Sequence, residues 1–136
     1  MVNKNNNTQE KKKVLVGDDQ IGVVGSIENK AFLRNYSNIA DFDFASEECD
    51  FIQRAKNGRY DSLLIDLNWS EEDNSREDKT GFRVLESVKS YSPIRILHTS
   101  DEKYIKYGLK YGATDFAEKH RSKDYLAQKL NGGVKI

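Results

Sequence analysis

Five polar or charged side chains follow or end short apolar runs of the sequence, and their types suit one kind of chemistry. They are Asp18 and Asp19 after "KVLVG", Asp66 in "LLIDL", Thr99 ending "IRILHT", and Lys119 after "TDFAE". Three carboxylates in one pocket repel each other, so such a site needs either added protons or a compensating cation. Mg²⁺ fits this need, because it prefers oxygen ligands and leaves coordination positions for phosphate oxygens. The residue types therefore predict a magnesium site suited to phosphoryl chemistry.

Asp66 is the best candidate for a nucleophile in such a site. It is a single carboxylate on an apolar run, whereas Asp18 and Asp19 are adjacent. A carboxylate that is not wholly committed to the metal can attack phosphorus and form an aspartyl phosphate. The hydroxyl of Thr99 and the ammonium of Lys119 would then stabilise the charge on the transferred oxygens.

These residues are far apart in the sequence, so the fold must bring them together. Five short β-prone runs alternate with amphipathic patterns that predict helices over Ile21 to about Tyr36 and after Ser46, Gly81, Ser100 and Ser122. Because each crossover helix must pack back on the sheet, the alternation predicts an α/β fold with a parallel sheet covered on both faces. In doubly wound sheets, ligands collect at the carboxyl ends of strands. We expect the candidate residues to converge on that edge.

Each candidate residue also has an ordinary structural explanation. An Asp pair after a strand is more often a turn and helix-cap signal than a metal site, and a single Asp at a strand end is usually a turn former. Thr99 alone is a β-branched strand residue, and Lys119 alone is a solvated charge. The ordered occurrence of all of them at the ends of four runs favours a site.

The composition limits the other possibilities. A chain of 136 residues has about the length of one domain, and its 22 basic and 22 acidic residues give a formal net charge of zero. Bulk electrostatics therefore favour neither nucleic acid nor a membrane as partner. There is no apolar signal core, and the single cysteine, Cys49, cannot form an internal disulfide. We expect a cytoplasmic protein with a flexible tail at 1–11, one domain at 12–131 and a short tail at 132–136.

In these motifs and their order, the chain resembles the receiver domain of two-component response regulators, the CheY-like family, over about residues 12–131. The resemblance implies a flavodoxin-like (βα)5 fold with strand order 2-1-3-4-5. It implies that Asp66 accepts a phosphoryl group from a phosphohistidine on a sensor histidine kinase or a histidine phosphotransfer protein. It further implies Mg²⁺ held by Asp19, Asp66 and the backbone carbonyl of Asn68, with Asp18 acting largely through water.

The resemblance also implies a conformational switch. The Thr99 hydroxyl would move to a phosphate oxygen, Lys119 would pair with the phosphate, and Phe116 stands where the family places an aromatic that swings inward. These changes would alter the surface of the fourth helix, fifth strand and fifth helix, through which a downstream protein binds.

A tyrosine-rich helix is the candidate for that partner surface. Its segment "YIKYGLKYG" places Tyr104, Tyr107 and Tyr111 on one helical face, while Ile105 and Leu109 mark another. If the aliphatic face packs on the sheet, the tyrosines remain toward solvent, where they could bind a partner or a second copy of the chain.

Two departures from the family pattern lie beside the candidate site. His120 follows Lys119 where the family usually has a proline in a cis peptide, and we expect a trans bond here. The segment from Asp66 to Gly81 is longer than usual and carries Trp69 followed by the acid-rich stretch 70–79. It is either a solvated insertion or an element that restricts access to Asp66 or selects the partner.

Two other functional classes stay open. A receiver-like interaction module that is never phosphorylated is compatible with the altered loops. A phosphohydrolase with Asp66 as nucleophile would need a second acid two residues further on, and that position holds Asn68. Otherwise we expect no enzymatic activity beyond the domain's own phosphotransfer and autodephosphorylation.

Overall fold

The computed structural model describes residues 11–75 and 78–132, where strands and helices alternate along the chain. None of the helices in this part of the chain is long and apolar enough to cross a membrane. The predicted tails lie outside the described residues except for 11 and 132. The strands are β1 (Lys13–Gly17), β2 (Asp41–Ala45), β3 (Ser62–Asp66), β4 (Ile94–Thr99) and β5 (Asp115–Glu118). The α-helices are α1 (Ile27–Tyr36), α2 (Glu48–Asn57), α3 (Thr80–Val88), α4 (Ile105–Lys110) and α5 (Lys123–Leu130), and 3-10 turns occur at Glu71–Ser75 and Glu102–Tyr104.

The five strands form one parallel sheet in the order β2-β1-β3-β4-β5. This confirms the predicted α/β class and the 2-1-3-4-5 strand order. Strand β3 is buried at every position, which explains its continuous apolar sequence. In the register, Gly17 lies beside Ile65 and Asp66 lies beside His98. The residues that follow β1, β3 and β4 therefore emerge at one edge of the sheet.

Alternate side chains of the central strands point into two separate cores. One core contains Leu15 and Ile65 with residues of α2 and α3, and the other contains Val14 and Leu64 with residues of α1 and α5. Because successive side chains of a strand point to opposite faces, one apolar run supplies both cores. The helices thus cover both faces of the sheet, as the alternation of runs predicted.

The first helix begins later than the sequence pattern indicated. Helix α1 starts at Ile27, and the Ser26 side chain caps it by accepting a 3.0 Å hydrogen bond from the Asn29 backbone N–H. The preceding residues form turns, in which Gly25 has a φ of +88°. A side chain at Gly22 would approach backbone carbonyl atoms to 2.3 Å. The two glycines therefore place the chain in a close turn before the helix.

The exposed face of α1 also differs from the expected one. The amphipathic pattern over Ile21 to about Tyr36 counts Val24 and Ile27 among its apolar positions, but these side chains are 75% and 84% exposed. The buried residues of α1 are instead Asn29, Phe32 and Tyr36. The shift follows from the later start of the helix, because a different set of residues then faces the sheet.

Helix α4 packs on the sheet through a glycine. Gly108 is its buried residue, and a Cβ at that position would lie 2.7 Å from the Leu97 side chain. Leu109 is 53% exposed and Ile105 is half-buried. The condition that the aliphatic face of this helix packs on the sheet is therefore not met, because the close approach at Gly108 sets the orientation of the helix.

Candidate functional site

Three aspartates meet where β1 and β3 end. One carboxylate oxygen each from Asp18, Asp19 and Asp66 lie within 4.8 Å of one another. Asp18 and Asp66 are buried, at 3% and 5% exposure, and Asp19 is half-buried. Because β1 and β3 are neighbouring parallel strands in register, the residues at their carboxyl ends meet at this edge of the sheet.

Lys119 supplies the positive charge of this cluster. Its Nζ lies 2.7 Å from Asp66 Oδ1 and 3.7 Å from Asp18 Oδ2. Its backbone N–H donates a 3.3 Å hydrogen bond to the Thr99 carbonyl, which ties the connection after β5 to the end of β4. Burial alone would lower the pKa of Lys119, but the charges of Asp66 and Asp18 outweigh burial and raise it. Lys119 therefore stays protonated and offsets one of the three carboxylates.

The positive charge of the Lys119 ammonium cannot neutralise three ionised carboxylates. Burial and then the charge of Asp18 raise the pKa of Asp66, Lys119 only partly opposes them, and the pKa reaches about 7. Burial and the charge of Asp18 also raise the pKa of Asp19. The cluster therefore holds excess negative charge, which it can relieve by binding protons or a cation.

The donor set fits a hard divalent cation. Three carboxylates at this spacing offer only oxygen ligands, which Mg²⁺ and Ca²⁺ prefer. In addition, the Asn68 side-chain oxygen, which follows Asp66 by two residues, is buried without a hydrogen-bond partner in the described part of the chain. The residues that would hold the cation are Asp18, Asp19 and Asp66, and the Asn68 backbone carbonyl is the further ligand that the resemblance implies.

Asp18 serves the turn and the site at once. Its Oδ1 accepts hydrogen bonds from the backbone N–H groups of Gln20 and Ile21, at 2.8 and 2.9 Å. Its Oδ2 faces Lys119. The ordinary explanation of Asp18 as a turn former and its assignment to the site therefore do not exclude each other.

Thr99 ends β4 but is engaged elsewhere in this structure. It is buried, and its hydroxyl oxygen accepts a 3.0 Å hydrogen bond from the Asp101 backbone N–H. The hydroxyl thus closes the turn before the 3-10 helix at Glu102–Tyr104. The movement of this hydroxyl toward a phosphate on Asp66 stays a prediction.

His98, which precedes Thr99, does not act as a sensor of physiological pH. It is buried, and burial together with the charge of Lys119 lowers its pKa to about 3. The imidazole is therefore neutral across the physiological range, as expected for a core histidine.

The connection after Lys119 is reshaped, as the missing proline indicated. None of the described peptide bonds is cis, and His120 has a φ of 62°. A positive φ is uncommon outside glycine, although histidine adopts it more often than most residues do. His120 is exposed, so the connection turns at this residue while Lys119 points into the cluster.

Trp69 is a buried core residue and not a solvent-exposed residue that covers Asp66. It is 6% exposed, and its ring contacts Phe51 with the ring centroids 5.8 Å apart. Its Nε1 donates a 2.7 Å hydrogen bond to the backbone carbonyl of Asp66. The ring thus packs beneath the end of β3, and the segment after Asp66 is partly built into the core instead of being wholly solvated.

Two residues of the acid-rich stretch have roles that sequence reasoning missed. Asp73 and Lys79 are buried, at 3% and 2% exposure. The carboxylate of Asp73 accepts hydrogen bonds from the Trp69 backbone N–H and the Thr80 hydroxyl, and Lys79 Nζ donates to the Asp73 carbonyl. No pattern in the sequence separates these residues from the exposed charges around them, such as Glu71.

The three tyrosines of the predicted partner surface are not equally exposed. Tyr107 is 44% exposed, whereas Tyr104 and Tyr111 are half-buried. All three rings surround Phe82, and Tyr111 stacks on it with centroids 4.9 Å apart. Tyr107 is thus the tyrosine most available to a partner, while Tyr104 and Tyr111 also cover the core.

We expect Tyr107→Ser to change the free energy of unfolding by less than about 0.5 kcal/mol, because the ring is exposed. Tyr111→Ser should cost about 1 to 2 kcal/mol, because it removes a ring stacked on Phe82. Urea unfolding followed by circular dichroism measures both. Equal losses in the two variants would contradict the assignment of Tyr107 to a free surface.

Phe116 is half-buried on β5, beside the second half of α5. The ammonium of Lys129 lies 4.6 Å from the centre of its ring, and the ring also packs against the core that contains Leu97. The inward swing of this ring stays a prediction.

The strand order and the acidic edge together define a class of fold. The chain has the doubly wound fold of response regulator receiver domains. It is 21% identical to the signal receiver domain of a response regulator from Bacteroides fragilis, with a TM-score of 0.68 over 91% of this chain and 98% of that one. It is 19% identical to the chemotaxis response regulator CheY4 of Vibrio cholerae, with a TM-score of 0.66 over 91% and 99% of the two chains.

A third similar structure carries the chemistry of interest. It is a response regulator protein from Burkholderia pseudomallei with a phosphorylated aspartic acid, a calcium ion and citrate. It is 16% identical to this chain, with a TM-score of 0.64 over 88% of this chain and 66% of that one. No protein-family model and no curated protein match the sequence. At these identities the comparisons establish the fold.

Proposed function

We propose that this chain is a phosphoacceptor receiver domain of a two-component or phosphorelay system. In this proposal Asp66 accepts a phosphoryl group in the presence of Mg²⁺, from a sensor histidine kinase or a histidine phosphotransfer protein. The observation that carries the proposal is the pair of Lys119 and Asp66, at 2.7 Å, inside the cluster with Asp18 and Asp19. The cytoplasmic setting belongs to the same proposal.

The chemical step is a transfer of one phosphoryl group. A carboxylate oxygen of Asp66 attacks the phosphorus, and an O–P bond forms while the P–N bond to the donor imidazole breaks. The electron pair of the broken bond stays on the imidazole nitrogen. The bound Mg²⁺ would supply positive charge to the phosphoryl oxygens and to the carboxylates. Lys119 remains protonated and compensates charge on the same oxygens.

The exposed surface near the site suits a phosphodonor that is itself a protein. The connection after Asp19 and the start of α1 carry exposed apolar side chains. They include Val23, Val24 and Ile27, which are 45%, 75% and 84% exposed. A groove of about 580 Å³ runs from the Lys119 side of the cluster along α1 toward the start of α5. Exposed apolar residues that form a contiguous patch are typical of protein contacts. A phosphohistidine carried on a protein could therefore approach Asp66 from this side.

The output in this proposal is a change of surface. Thr99 and Phe116 would respond to the phosphate, and the altered surface would comprise α4, β5 and α5 with Tyr107 as its most exposed tyrosine. A downstream protein or a second copy of the chain would bind there.

Intact-mass measurement after incubation with acetyl phosphate tests the proposal directly. We expect wild type to gain the mass of one phosphoryl group in Mg²⁺ and to gain nothing in EDTA. Asp66→Asn should gain none, because it lacks the nucleophilic carboxylate. Asp124→Asn is a matched control, since it removes an exposed aspartate on α5 and should behave as wild type.

Other outcomes identify the alternatives. Wild type that is never modified would overturn the proposal in favour of an interaction module that is not phosphorylated. Equal modification of wild type and Asp66→Asn would assign the phosphate to another residue. Sustained Mg²⁺-dependent hydrolysis of a phosphate ester would favour a phosphohydrolase.

A further inference from the structure

The peptide group between Asn68 and Trp69 is held by a buried carboxylate. The N–H of Trp69 donates a 2.7 Å hydrogen bond to Asp73 Oδ2, and Asp73 is 3% exposed. Asp73 reaches this position from the 3-10 turn at Glu71–Ser75. A hydrogen bond to an ionised acceptor is stronger than one between neutral groups. This peptide group is therefore fixed more firmly than an ordinary loop peptide.

Fixing the N–H of a peptide also fixes its carbonyl. The group is planar and trans, so the Asn68 carbonyl points away from the side on which the Trp69 N–H meets Asp73. A hydrogen bond donated by the N–H also polarises the amide and places more negative charge on the carbonyl oxygen. The hydrogen bond to Asp73 thus fixes the direction of the Asn68 carbonyl and increases the negative charge on its oxygen.

Asp73 is itself held from two sides. Its Oδ1 accepts a 3.2 Å hydrogen bond from the Thr80 hydroxyl, and its backbone carbonyl accepts one from Lys79 Nζ. The other end of the segment is fixed as well, because Trp69 Nε1 donates to the Asp66 carbonyl at 2.7 Å. The backbone from Asp66 to Trp69 is therefore held by hydrogen bonds at both ends, next to the three carboxylates.

We infer that Asp73 is a positioning residue for the metal, acting through the Asn68 carbonyl. This inference rests on the part of the proposed function that makes this carbonyl a ligand of Mg²⁺. Asp73 lies outside the group of three carboxylates whose oxygens lie within 4.8 Å of one another. The charge of Asp73 also reaches Asp19, whose pKa it helps to raise, so the effect inferred here is the additional one that acts through the peptide group that Asp73 holds.

The test is an equilibrium titration with Mg²⁺, read by the fluorescence of Trp69, the only tryptophan in the sequence. We expect Asp73→Ala to weaken Mg²⁺ binding about tenfold or more, as losses of groups that orient metal ligands commonly do. Asp73→Asn should lose less, because its amide oxygen can still accept the Trp69 N–H. Calorimetric titration of the same proteins checks that the affinities do not depend on the environment of the indole.

Two controls separate positioning from charge and from folding. Glu71→Gln removes one exposed carboxylate from the same turn and should leave the Mg²⁺ affinity unchanged. Thermal unfolding in EDTA shows whether each variant folds, and a purely structural role would lower that stability without changing the affinity of the folded protein. Equal losses of affinity in Asp73→Asn and Asp73→Ala would overturn the inference, because they would assign the effect to charge alone.

The failure of this inference can be told from the failure of the proposed function. Asp73→Ala with wild-type Mg²⁺ affinity overturns the inference even if wild type is phosphorylated on Asp66. If wild type binds Mg²⁺, responds to the Asp73 variants as expected and is not phosphorylated, the inference is supported and the phosphoacceptor function is overturned. Wild type that binds no Mg²⁺ overturns the inference.

Discussion

Replacement of Asp66 by asparagine is expected to stabilise the metal-free protein at pH 8, although it removes the residue at the centre of the site. Asp66 is 5% exposed, and its burial next to Asp18 raises its pKa to about 7. At pH 8 the folded protein must keep this carboxylate ionised in an unfavourable place. Asparagine has nearly the same shape and no charge, so the variant avoids that cost.

The direction of the pH dependence follows from proton binding. The usual pKa of an aspartate is 3.8, so between that value and about 7 the folded state binds more protons at Asp66 than the unfolded state does. The contribution of Asp66 to stability is therefore full below the unfolded pKa and is lost as the pH rises to about 7. The advantage of Asp66→Asn over wild type should grow by about 2 to 3 kcal/mol between pH 5 and pH 8.

Urea unfolding of both proteins in EDTA at pH 5 and pH 8 measures this advantage. His98 also affects the pH dependence of stability, since burial lowers its pKa to about 3. Its contribution is present in both proteins and cancels in the comparison. An advantage of Asp66→Asn that is the same at both pH values would contradict the explanation by buried charge.

Addition of Mg²⁺ should reverse the order of stability, so that wild type becomes more stable than Asp66→Asn. A ligand that binds only the folded state stabilises it in proportion to the logarithm of its concentration over the dissociation constant. Asp66→Asn lacks one of the three carboxylates and should gain less from Mg²⁺ than wild type does. A difference between the two proteins that Mg²⁺ leaves unchanged would show that Asp66 does not contribute to a metal site.

The fold could be predicted because its signals are local and repeated. Each strand is a short apolar run, and β3 reads as continuously apolar because both of its faces are buried. Parallel pairing then determines which residues share an edge, so the meeting of Asp18, Asp19 and Asp66 followed from the order of the runs. The meeting of these residues could be predicted from the sequence because they lie at or just after the ends of strands.

The buried faces of α1 and α4 could not be predicted from the sequence in the same way. In α1 the start of the helix decides which residues face the sheet, and the turn at Gly22 and Gly25 delays that start. In α4 the approach of Gly108 to Leu97 decides the orientation. The approach of Gly108 to Leu97 joins segments remote in sequence, and the turn before α1 is a local backbone feature. A periodic pattern contains neither of them.

The acid-rich stretch shows a further limit. Asp73 and Glu71 are two acids of the same 3-10 turn, yet one is buried against Trp69 and the other is exposed. Composition predicts solvation for both. Only the position of the Trp69 N–H, which follows from the burial of its ring, distinguishes them.

Removal of the Trp69 ring is expected to give the largest loss of stability among the variants considered. The ring is 6% exposed and contacts Phe51, and it fills the space that a side chain at Gly17 would occupy, since a Cβ there would lie 2.6 Å from it. Trp69→Ala would leave a cavity beneath the end of β3. We expect it to lower the free energy of unfolding by about 3 to 5 kcal/mol, measured by urea unfolding followed by circular dichroism.

Trp69→Phe separates packing from the hydrogen bond. It retains an aromatic ring but loses the indole N–H that donates to the Asp66 carbonyl, so we expect a smaller cost of about 1 to 2 kcal/mol. Tyr107→Ala, which removes an exposed ring, is the control and should change stability little. A loss for Tyr107→Ala that equals the loss for Trp69→Ala would contradict the assignment of Trp69 to the core.

The same variants decide whether Trp69 restricts access to Asp66. A buried ring beneath the strand cannot block a small phosphodonor, so Trp69→Phe should be phosphorylated by acetyl phosphate at the wild-type rate. A marked increase in that rate would instead favour the hypothesis that Trp69 restricts access. An unchanged rate together with a reduced stability would show that Trp69 supports the backbone that carries Asp66 and does not restrict access to it.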